Sequence, residues 1–126
     1  MGLSGVLWAP SMSDHPEPRL KTKLWIQAGV RRASIEGFAI CVVRSGDPDA
    51  GSILIKLNRL ENGCVVFSQT YDDSGQRAWV AATGEEPVEE KTADAYVART
   101  VEFDPDLWVI EVEDRDGRLP FEINLI

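Results

Sequence analysis

The chain has 126 residues, of which 44% are hydrophobic and 27% charged, and its 21 acidic and 13 basic side chains give a formal net charge of −8 at pH 7. This length suits a single domain, and the apolar fraction excludes disorder along the whole chain. No run approaches the roughly 18 apolar residues that a membrane span needs, so we expect no contact with a membrane.

Residues 1–18 contain three prolines, which keep a chain extended, and we expect them to form a flexible N-terminal arm. Residues 19–126 are expected to form one domain. Because no basic region precedes the short apolar patch at the start, we predict no secretory signal and a cytoplasmic location. Either Met1 or Met12 could be the native start.

The residues of the common catalytic sites are missing. The single histidine, His15, lies in the arm, which leaves none in the domain for a Ser-His-Asp, Cys-His or histidine-based zinc site. Neither G-x-x-x-x-G-K-[ST] nor G-x-G-x-x-G is present. Cys41 and Cys64 lie in apolar runs without C-x-x-C spacing and are expected to be buried structural thiols. We therefore expect no cofactor and favour a non-catalytic protein.

Charge is distributed unevenly along the chain. Residues 1–63 carry 8 basic and 6 acidic side chains, whereas residues 64–126 carry 5 basic and 15 acidic ones. Three interpretations stay open: the basic element packs against the acidic part of the same domain, it contacts phosphate or nucleic acid, or an acidic face binds a basic protein partner. The net charge of −8 disfavours nucleic acid as a partner. The basic residues that no acidic residue interrupts are Arg19, Lys21, Lys23, Arg31 and Arg32.

The first elements are a helix and two strands. Residues 20–35 predict a helix that Thr22 could cap and that Gly37 would end. In residues 38–43 both the odd-numbered and the even-numbered positions are apolar. Because these positions point to opposite faces of a strand, the segment predicts a strand covered on both faces. A turn-rich loop follows, and residues 53–57 predict a second strand.

Two hairpin turns are indicated next. Asn62-Gly63 is typical of a two-residue hairpin turn, after which residues 65–67 predict a third strand. Another turn-rich stretch leads to a fourth strand over residues 77–82. If its turn also has two residues, Asp72 lies opposite Arg77 as a favourable cross-strand pair.

Residues 85–103 predict a second helix, with Pro87 in its first turn and several glutamates near its N-terminus. Ala93, Val97 and Val101 recur on one side of it as an apolar stripe. We therefore expect this helix to pack on one face of the sheet.

The C-terminal segment alternates between apolar and polar residues on both sides of Asp116-Gly117. A two-residue turn there predicts a hairpin of residues 108–113 and 119–125. Pro120 would make the second strand an edge strand, which could pair with a copy of itself in a homodimer. The predicted opposite residues are Val112 and Phe121, Ile110 and Ile123, and Trp108 and Leu125.

The same register places Glu111 opposite Glu122, with Glu113 two residues along the same face. Like charges in these positions destabilise a sheet, so a basic side chain, solvent or a metal ion should compensate them. A metal site would need further oxygen ligands to converge there, for which Asp114 and Asp106 are candidates.

Four segments carry a family resemblance: Leu24–Arg32, Gly46–Gly51, Ile55–Leu60 and Asp104–Arg118, the last of which contains Asp-Pro-Asp-Leu-Trp. They resemble the uncharacterised alphaproteobacterial family called domain of unknown function 1491, over roughly residues 19–118. The resemblance implies a bacterial, cytoplasmic, single-domain protein. It brings no established activity, ligand or catalytic residue.

The order of the predicted elements also resembles the core of the metal-dependent PD-(D/E)xK nucleases. Those enzymes need an acidic residue on the second strand and an acid-x-Lys motif on the third. Here the third strand has Phe67, Ser68 and Gln69, and the second has Ser52, Ile53 and Lys56. The resemblance would therefore imply a relative without the catalytic carboxylates.

Together these patterns predict an α+β domain, in which a mostly antiparallel sheet, made of a four-strand meander and the C-terminal hairpin, packs with two helices. The leading hypothesis is a non-catalytic binding or protein-interaction module; the alternative is a metal-dependent hydrolase or nuclease-like protein using Glu111, Glu113 and Asp114. The predicted binding residues are Lys23, Arg31 and Arg32 on one side and Glu111, Glu113 and Glu122 on another. The predicted core contains Trp25, Ile40, Val42, Ile55, Val97, Val101, Trp108, Ile110, Val112, Phe121 and Ile123.

Overall fold

A computed structural model describes residues 21–121 and 123–126. The predicted arm, its methionines and Glu122 lie outside the described residues. The elements, in chain order, are α1 (Thr22–Ile35), β1 (Ala39–Arg44), β2 (Ile53–Asn58), a short 3-10 helix (Leu60–Asn62), β3 (Cys64–Tyr71), β4 (Arg77–Ala81), α2 (Glu90–Phe103) and β5 (Trp108–Glu113).

The described strands form a five-stranded sheet in the order β1-β5-β2-β3-β4. All neighbouring strands are antiparallel except β2 and β5, which are parallel. A parallel pair needs a crossover connection, and α2 lies within the connection that returns the chain to the middle of the sheet. The predicted α+β class is confirmed, but the meander has three strands, β2 to β4, because β1 pairs with β5.

The predicted C-terminal hairpin is wrong. Ile110 of β5 lies opposite Val42 on one side and Ile55 on the other, so both edges of β5 are occupied before the tail arrives. The turn itself exists, since Gly117 has a φ of +77° and its N–H donates to the Asp114 carbonyl over 3.0 Å. Alternation of apolar and polar residues shows that a segment is a strand with one apolar face. It does not show which strands pair with it, because that depends on the arrangement of the whole sheet.

The tail instead reaches the opposite edge of the sheet, at β4. The Trp79 N–H donates to the Asn124 carbonyl over 2.8 Å, and the Ile126 N–H donates to the Trp79 carbonyl over 2.9 Å. On the way, Phe121 packs on Trp25, with ring centroids 5.5 Å apart. The predicted edge strand over residues 119–125 is thereby replaced by a segment that covers the edge of β4.

β1 also differs from the prediction, because it is an edge strand exposed at Cys41, Val42 and Val43. Val42 is 39% exposed and is therefore not a core residue. Val42 is on the same face as Ile110, toward α1, and lies at the edge of the sheet, where α1 covers it only in part. Cys41 and Val43 are on the other face, where α2 packs over β2 and β3 rather than over β1 in the part of the chain that the structure describes. Cys41 is therefore exposed, contrary to the prediction, whereas Cys64 is buried as predicted.

Several turns and helix ends differ in detail. The hairpin between β2 and β3 forms, but through the 3-10 helix, with Gly63 at a φ of +92°. Arg77 lies opposite Tyr71, because the Asp72 N–H donates to Gln76 around a longer loop. The predicted pair of Asp72 and Arg77 is therefore wrong.

The helix ends show how polar groups are satisfied. α2 begins at Glu90, because Pro87-Val88 runs extended and Val88 exchanges two backbone hydrogen bonds of 2.8 Å with Cys64. Thr22 makes no cap, since its hydroxyl donates to the Gly51 carbonyl over 2.7 Å. Gly37 ends α1 at a φ of +89°, as predicted.

The core has two layers, one on each face of the sheet. On the face covered by α1, Ile55, Trp108, Ile110 and Val112 are buried, as predicted. On the face covered by α2, buried residues such as Leu54 and Val66 pack against that helix. The other predicted core residues, Trp25, Ile40, Phe121, Ile123, Val97 and Val101, are partly buried against these layers.

Neither described helix has the length and apolar character that crossing a membrane requires.

Candidate functional site

Two of the segments that carry the family resemblance meet in space. The Asp47 N–H donates to the Asp106 carbonyl over 2.9 Å, and the indole N–H of Trp108 donates to the Asp47 carbonyl over 2.7 Å. A Cβ on Gly46 would lie 1.9 Å from the Asp106 oxygen, so no larger residue fits there. Arg44 adds hydrogen bonds of 2.9 and 2.7 Å to the carbonyls of Pro105 and Leu107. We call this contact between Gly46–Gly51 and the residues before β5 the junction. It fixes the start of β5 against the loop after β1.

The same loop holds the N-terminus of α1. The Lys23 N–H donates to the Pro48 carbonyl over 2.9 Å, and the Thr22 N–H donates to the Asp49 carbonyl over 3.3 Å. The loop therefore supplies acceptors for amides that a helix leaves unpaired at its start. α1 is thus held at a set distance from β1 and β5.

A groove lies between α1 and these strands, with a volume of about 380 Å³. Lys23, Gln27 and Arg31 follow one another at four-residue intervals, which aligns them along one side of the helix over about 12 Å. We call this the α1 groove: its apolar floor is Ile26, Val30, Val42 and Trp108, and its rim is Lys23, Gln27, Arg31 and Ser45.

Two cations at the rim of the α1 groove have no ionic partner among the described residues. Lys23 and Arg31 are exposed, and neither makes a salt bridge with any residue that the structure describes. Lys21 pairs instead with Asp49 over 3.7 Å. In the part of the chain that the structure covers, α1 therefore shows none of the expected ion pairs with acidic residues 64–126.

A second polar cluster lies on the face covered by α2, around the buried Lys56. Its ammonium donates to Glu90 and Asp94 over 2.7 Å each and lies 3.6 Å from Glu111. Asn58 donates to Glu111 over 3.2 Å. The sequence predicted that a basic side chain, solvent or a metal ion would compensate the charge of Glu111. The structure shows a basic side chain, Lys56, in that role.

The environment of Lys56 controls its protonation. Burial by itself lowers the pKa of Lys56, but hydrogen bonds to Asp94 and Glu90 and the charge of Glu111 outweigh it and raise the pKa well above its ordinary value. This cluster was not predicted from the sequence. Its signal was Lys56, the one charged residue in the otherwise apolar run of β2.

The carboxylates suggested for a metal site do not converge. Glu111 faces Lys56, whereas Asp114 accepts a 2.7 Å hydrogen bond from Arg118, which lowers the pKa of that carboxyl. Glu113 is exposed. Among residues 21–121 and 123–126, no group of three or more His, Cys, Asp or Glu side chains is placed to hold a metal ion.

A second cavity, of about 340 Å³, opens beside β1 on the face that α2 covers elsewhere. Register places Cys41 opposite Glu111 and Ala39 opposite Glu113, so both glutamates lie next to exposed positions of the edge strand. We call this the β1 cleft, and it is lined by Ala39, Ile40, Cys41, Glu111 and Glu113.

The structure thus divides the predicted binding residues into two places. Lys23 and Arg31 lie together at the α1 groove, whereas Arg32 is exposed on the same helix outside it. Glu111 and Glu113 lie together at the β1 cleft. Trp108 and Val42, which complete the groove, come from strands that no local pattern connects to α1.

Comparisons with solved structures give similar folds. A crystal structure of a DUF1491 family protein from Caulobacter crescentus CB15 is 36% identical, covers 85% of this chain and 97% of its own, and has a TM-score of 0.72. An NMR structure of a DUF1491 family protein from the same source is 37% identical, with 85% and 96% covered and a TM-score of 0.72. A solution structure from A. tumefaciens, 22% identical with 85% and 98% covered, shares the fold with a TM-score of 0.65.

The comparison with curated proteins gave no match. The family model described as "Protein of unknown function (DUF1491)" matches residues 20–122. That range includes both segments of the junction and every residue of the α1 groove and the β1 cleft. The chain therefore belongs to the DUF1491 family, as its resemblance to that family implied.

Proposed function

We propose that the protein is a small, non-catalytic binding module whose α1 groove receives an acidic, amphipathic segment of a partner protein. The observation that carries the proposal is the combination of an apolar floor with two cations that lack ionic partners among the described residues. An apolar floor favours leucine-like side chains. The cations at the rim favour a ligand that carries carboxylates on either side of its apolar side chains.

The energies assign different roles to the floor and the rim. Burial of apolar area contributes roughly 25 cal/mol per Å², so most of the affinity comes from the floor. An exposed ion pair contributes about 0.2–1 kcal/mol, so Lys23 and Arg31 mainly select the charge of the ligand. The protein's charge of −8 does not prevent this, because fields are screened within about 8 Å at physiological ionic strength.

The experiment is an NMR titration of the ¹⁵N-labelled protein with a synthetic amphipathic peptide that has a leucine face flanked by glutamates. We expect shifts at the indole N–H of Trp108 and at the amides of Val42 and Ser45. A peptide with lysine in place of glutamate should bind at least roughly tenfold more weakly, since like charges would then meet at the rim.

The matched variants are on one helix. Lys23→Glu combined with Arg31→Glu should weaken binding of the glutamate peptide about tenfold or more. Arg31→Glu alone should weaken it by roughly threefold or more, whereas Arg32→Glu makes the same charge change on α1 outside the groove and should leave binding nearly unchanged. Equal weakening by Arg32→Glu, or no shift at Trp108, would contradict the proposed site.

The alternative function, a metal-dependent hydrolase or nuclease-like protein, is less favoured, because Glu111 lies beside the Lys56 ammonium and Asp114 pairs with Arg118. Calorimetry with magnesium, manganese and calcium tests it: heat of binding that disappears in Glu111→Ala would support the hydrolase.

A cytoplasmic location is also part of the proposal, supported by two cysteines that are free thiols, as is usual in reducing compartments.

A further inference from the structure

The two edges of the sheet differ in how they are covered. The edge of β4 is occupied by residues 124–126, through two backbone hydrogen bonds with Trp79. The outer edge of β1 has no strand beside it in the part of the chain that the structure describes. Cys41, Val42 and Val43 are exposed there. An uncovered apolar edge offers unpaired backbone groups to another strand.

A bulge limits how much of that edge is usable. The register between β1 and β5 shifts between Val42 and Arg44, so regular pairing covers Ala39 to Val42. Bulges of this kind twist an edge away from further pairing. A segment that adds to β1 would therefore pair over about four residues, which is too few for strong binding from the backbone alone.

The β1 cleft supplies the additional attraction. Cys41 and Ala39 point toward the same face as Glu111 and Glu113, their partners in register. Side chains of an added strand that point to this face would lie over Cys41 and Ala39. The two carboxylates are on β5, two strand spacings or about 10 Å from the added strand, a distance that a long cationic side chain and a glutamate side chain span together. Lys56 compensates Glu111 only in part, because it also pairs with Glu90 and Asp94.

We infer that the open edge of β1 takes up a short, extended, basic segment of a partner protein as an added strand, with its lysine or arginine side chains over the β1 cleft. The β1 cleft is on the opposite face of the sheet from the α1 groove, and Val42, at the end of the regularly paired part of β1, is the one described residue assigned to both sites. The inference does not depend on the proposed function, because shifts at Ala39 to Cys41 distinguish this site from the groove. A second copy of the chain fits less well, because two β1 strands paired about a two-fold axis would join two acidic clefts on one face of a continuous sheet.

The test uses an eight-residue peptide of alternating lysine and valine and the ¹⁵N-labelled full chain. We expect amide shifts concentrated at Ala39–Val42. Of two peptides that are N-methylated along opposite edges, only one should still bind, because strand addition uses one edge of the ligand. Glutamate in place of lysine should abolish the shifts.

A pair of charge reversals tests the cleft. Glu113→Lys should weaken binding of the lysine-valine peptide roughly tenfold, since a positive charge then faces the lysines of the peptide. Glu86→Lys makes the same change on the exposed segment after β4, at the other edge of the sheet, and should leave affinity within about twofold. The amide spectrum of each variant confirms that it is folded.

Three results would overturn the inference. The first is an absence of shifts at Ala39–Val42 at millimolar peptide. The second is equal binding of both methylated peptides, or equal weakening by Glu113→Lys and Glu86→Lys, which would indicate non-specific charge attraction. The third is sedimentation showing a dimer of the unliganded chain that Val43→Lys dissociates, because β1 would then belong to a second copy.

Discussion

Removal of the Lys56 ammonium should destabilise the protein while leaving its exposed surface unchanged. Lys56→Met keeps most of the buried aliphatic stem and removes the charge. The side chain is 7% exposed, and its two hydrogen bonds of 2.7 Å end on Glu90 and Asp94, whose side chains are each 56% exposed. The variant leaves those two carboxylates and Glu111, which is 22% exposed, without their common cation.

The magnitude follows from these exposures. A hydrogen bond to a charged group contributes about 1.5–3 kcal/mol, and breaking a buried ion pair costs about 3–5 kcal/mol. Because Glu90 and Asp94 are more than half exposed, water replaces part of the lost interaction. We therefore expect the free energy of unfolding to fall by about 2–3 kcal/mol.

The assay is urea unfolding followed by tryptophan fluorescence, with Lys91→Met as the matched control. Lys91 is exposed on α2, so this control removes the same charge and should change the unfolding free energy by less than about 0.5 kcal/mol. A double-mutant cycle of Lys56→Met with Asp94→Asn should give a coupling of about 1 kcal/mol.

The pH dependence has a definite sign. The pKa of Lys56 is raised by folding, so its contribution to stability is fully present below its ordinary pKa of 10.5 and declines as pH rises above that value. The difference between wild type and Lys56→Met should therefore be constant from pH 7 to pH 9 and shrink at higher pH. A Lys56→Met protein as stable as wild type at pH 7 would refute the reasoning.

Three further predictions concern the junction, an exposed turn and the thiols. Gly46→Ala should lower the free energy of unfolding by about 3 kcal/mol, because its Cβ would lie 1.9 Å from the Asp106 oxygen; urea unfolding measures the loss. The stability advantage of wild type over Asp114→Asn should be present at pH 7 and shrink as the pH falls below 3.8, because folding lowers that pKa; unfolding curves at both pH values measure it. Cys41, which is exposed, should react with a thiol reagent in the native protein, whereas burial raises the pKa of Cys64 and should delay its reaction until unfolding.

Each of these three has a simple contradiction. Gly29→Ala, whose Cβ meets only the ring of Phe121, should cost less than Gly46→Ala, and the reverse order would show that the junction yields easily. An advantage over Asp114→Asn that grows in acid would reverse the assigned direction of the pKa. Equal native reactivity of both thiols would contradict the burial of Cys64.

Local patterns predicted most of the elements. The alternation around Ile110 and the apolar run around Ile55 indicated strands, because side chains of a strand alternate between its faces whatever its neighbours are. The eight-residue spacing of Lys23 and Arg31 corresponds to about two helical turns, so a helix places both on one side whatever it packs against. These predictions depend only on residues a few positions apart.

The polar clusters required contacts that no short segment contains. Lys56 meets Glu90 and Asp94 across separations of 34 and 38 residues, and nothing local to any of the three indicates the others. The one available signal was a lysine inside an apolar strand, since a buried charge needs a partner. The identity of that partner depended on where α2 crosses the sheet.

What the sequence determined by itself was therefore the α+β class, most of the strands and the helix that carries Lys23, Arg31 and Arg32. What only the tertiary structure decided was which strands are neighbours, and hence that β5 lies inside the sheet and β1 at the edge of its described part. The physical reason is that side-chain periodicity follows from backbone geometry within one segment, whereas strand order follows from the burial of both faces of the whole sheet at once.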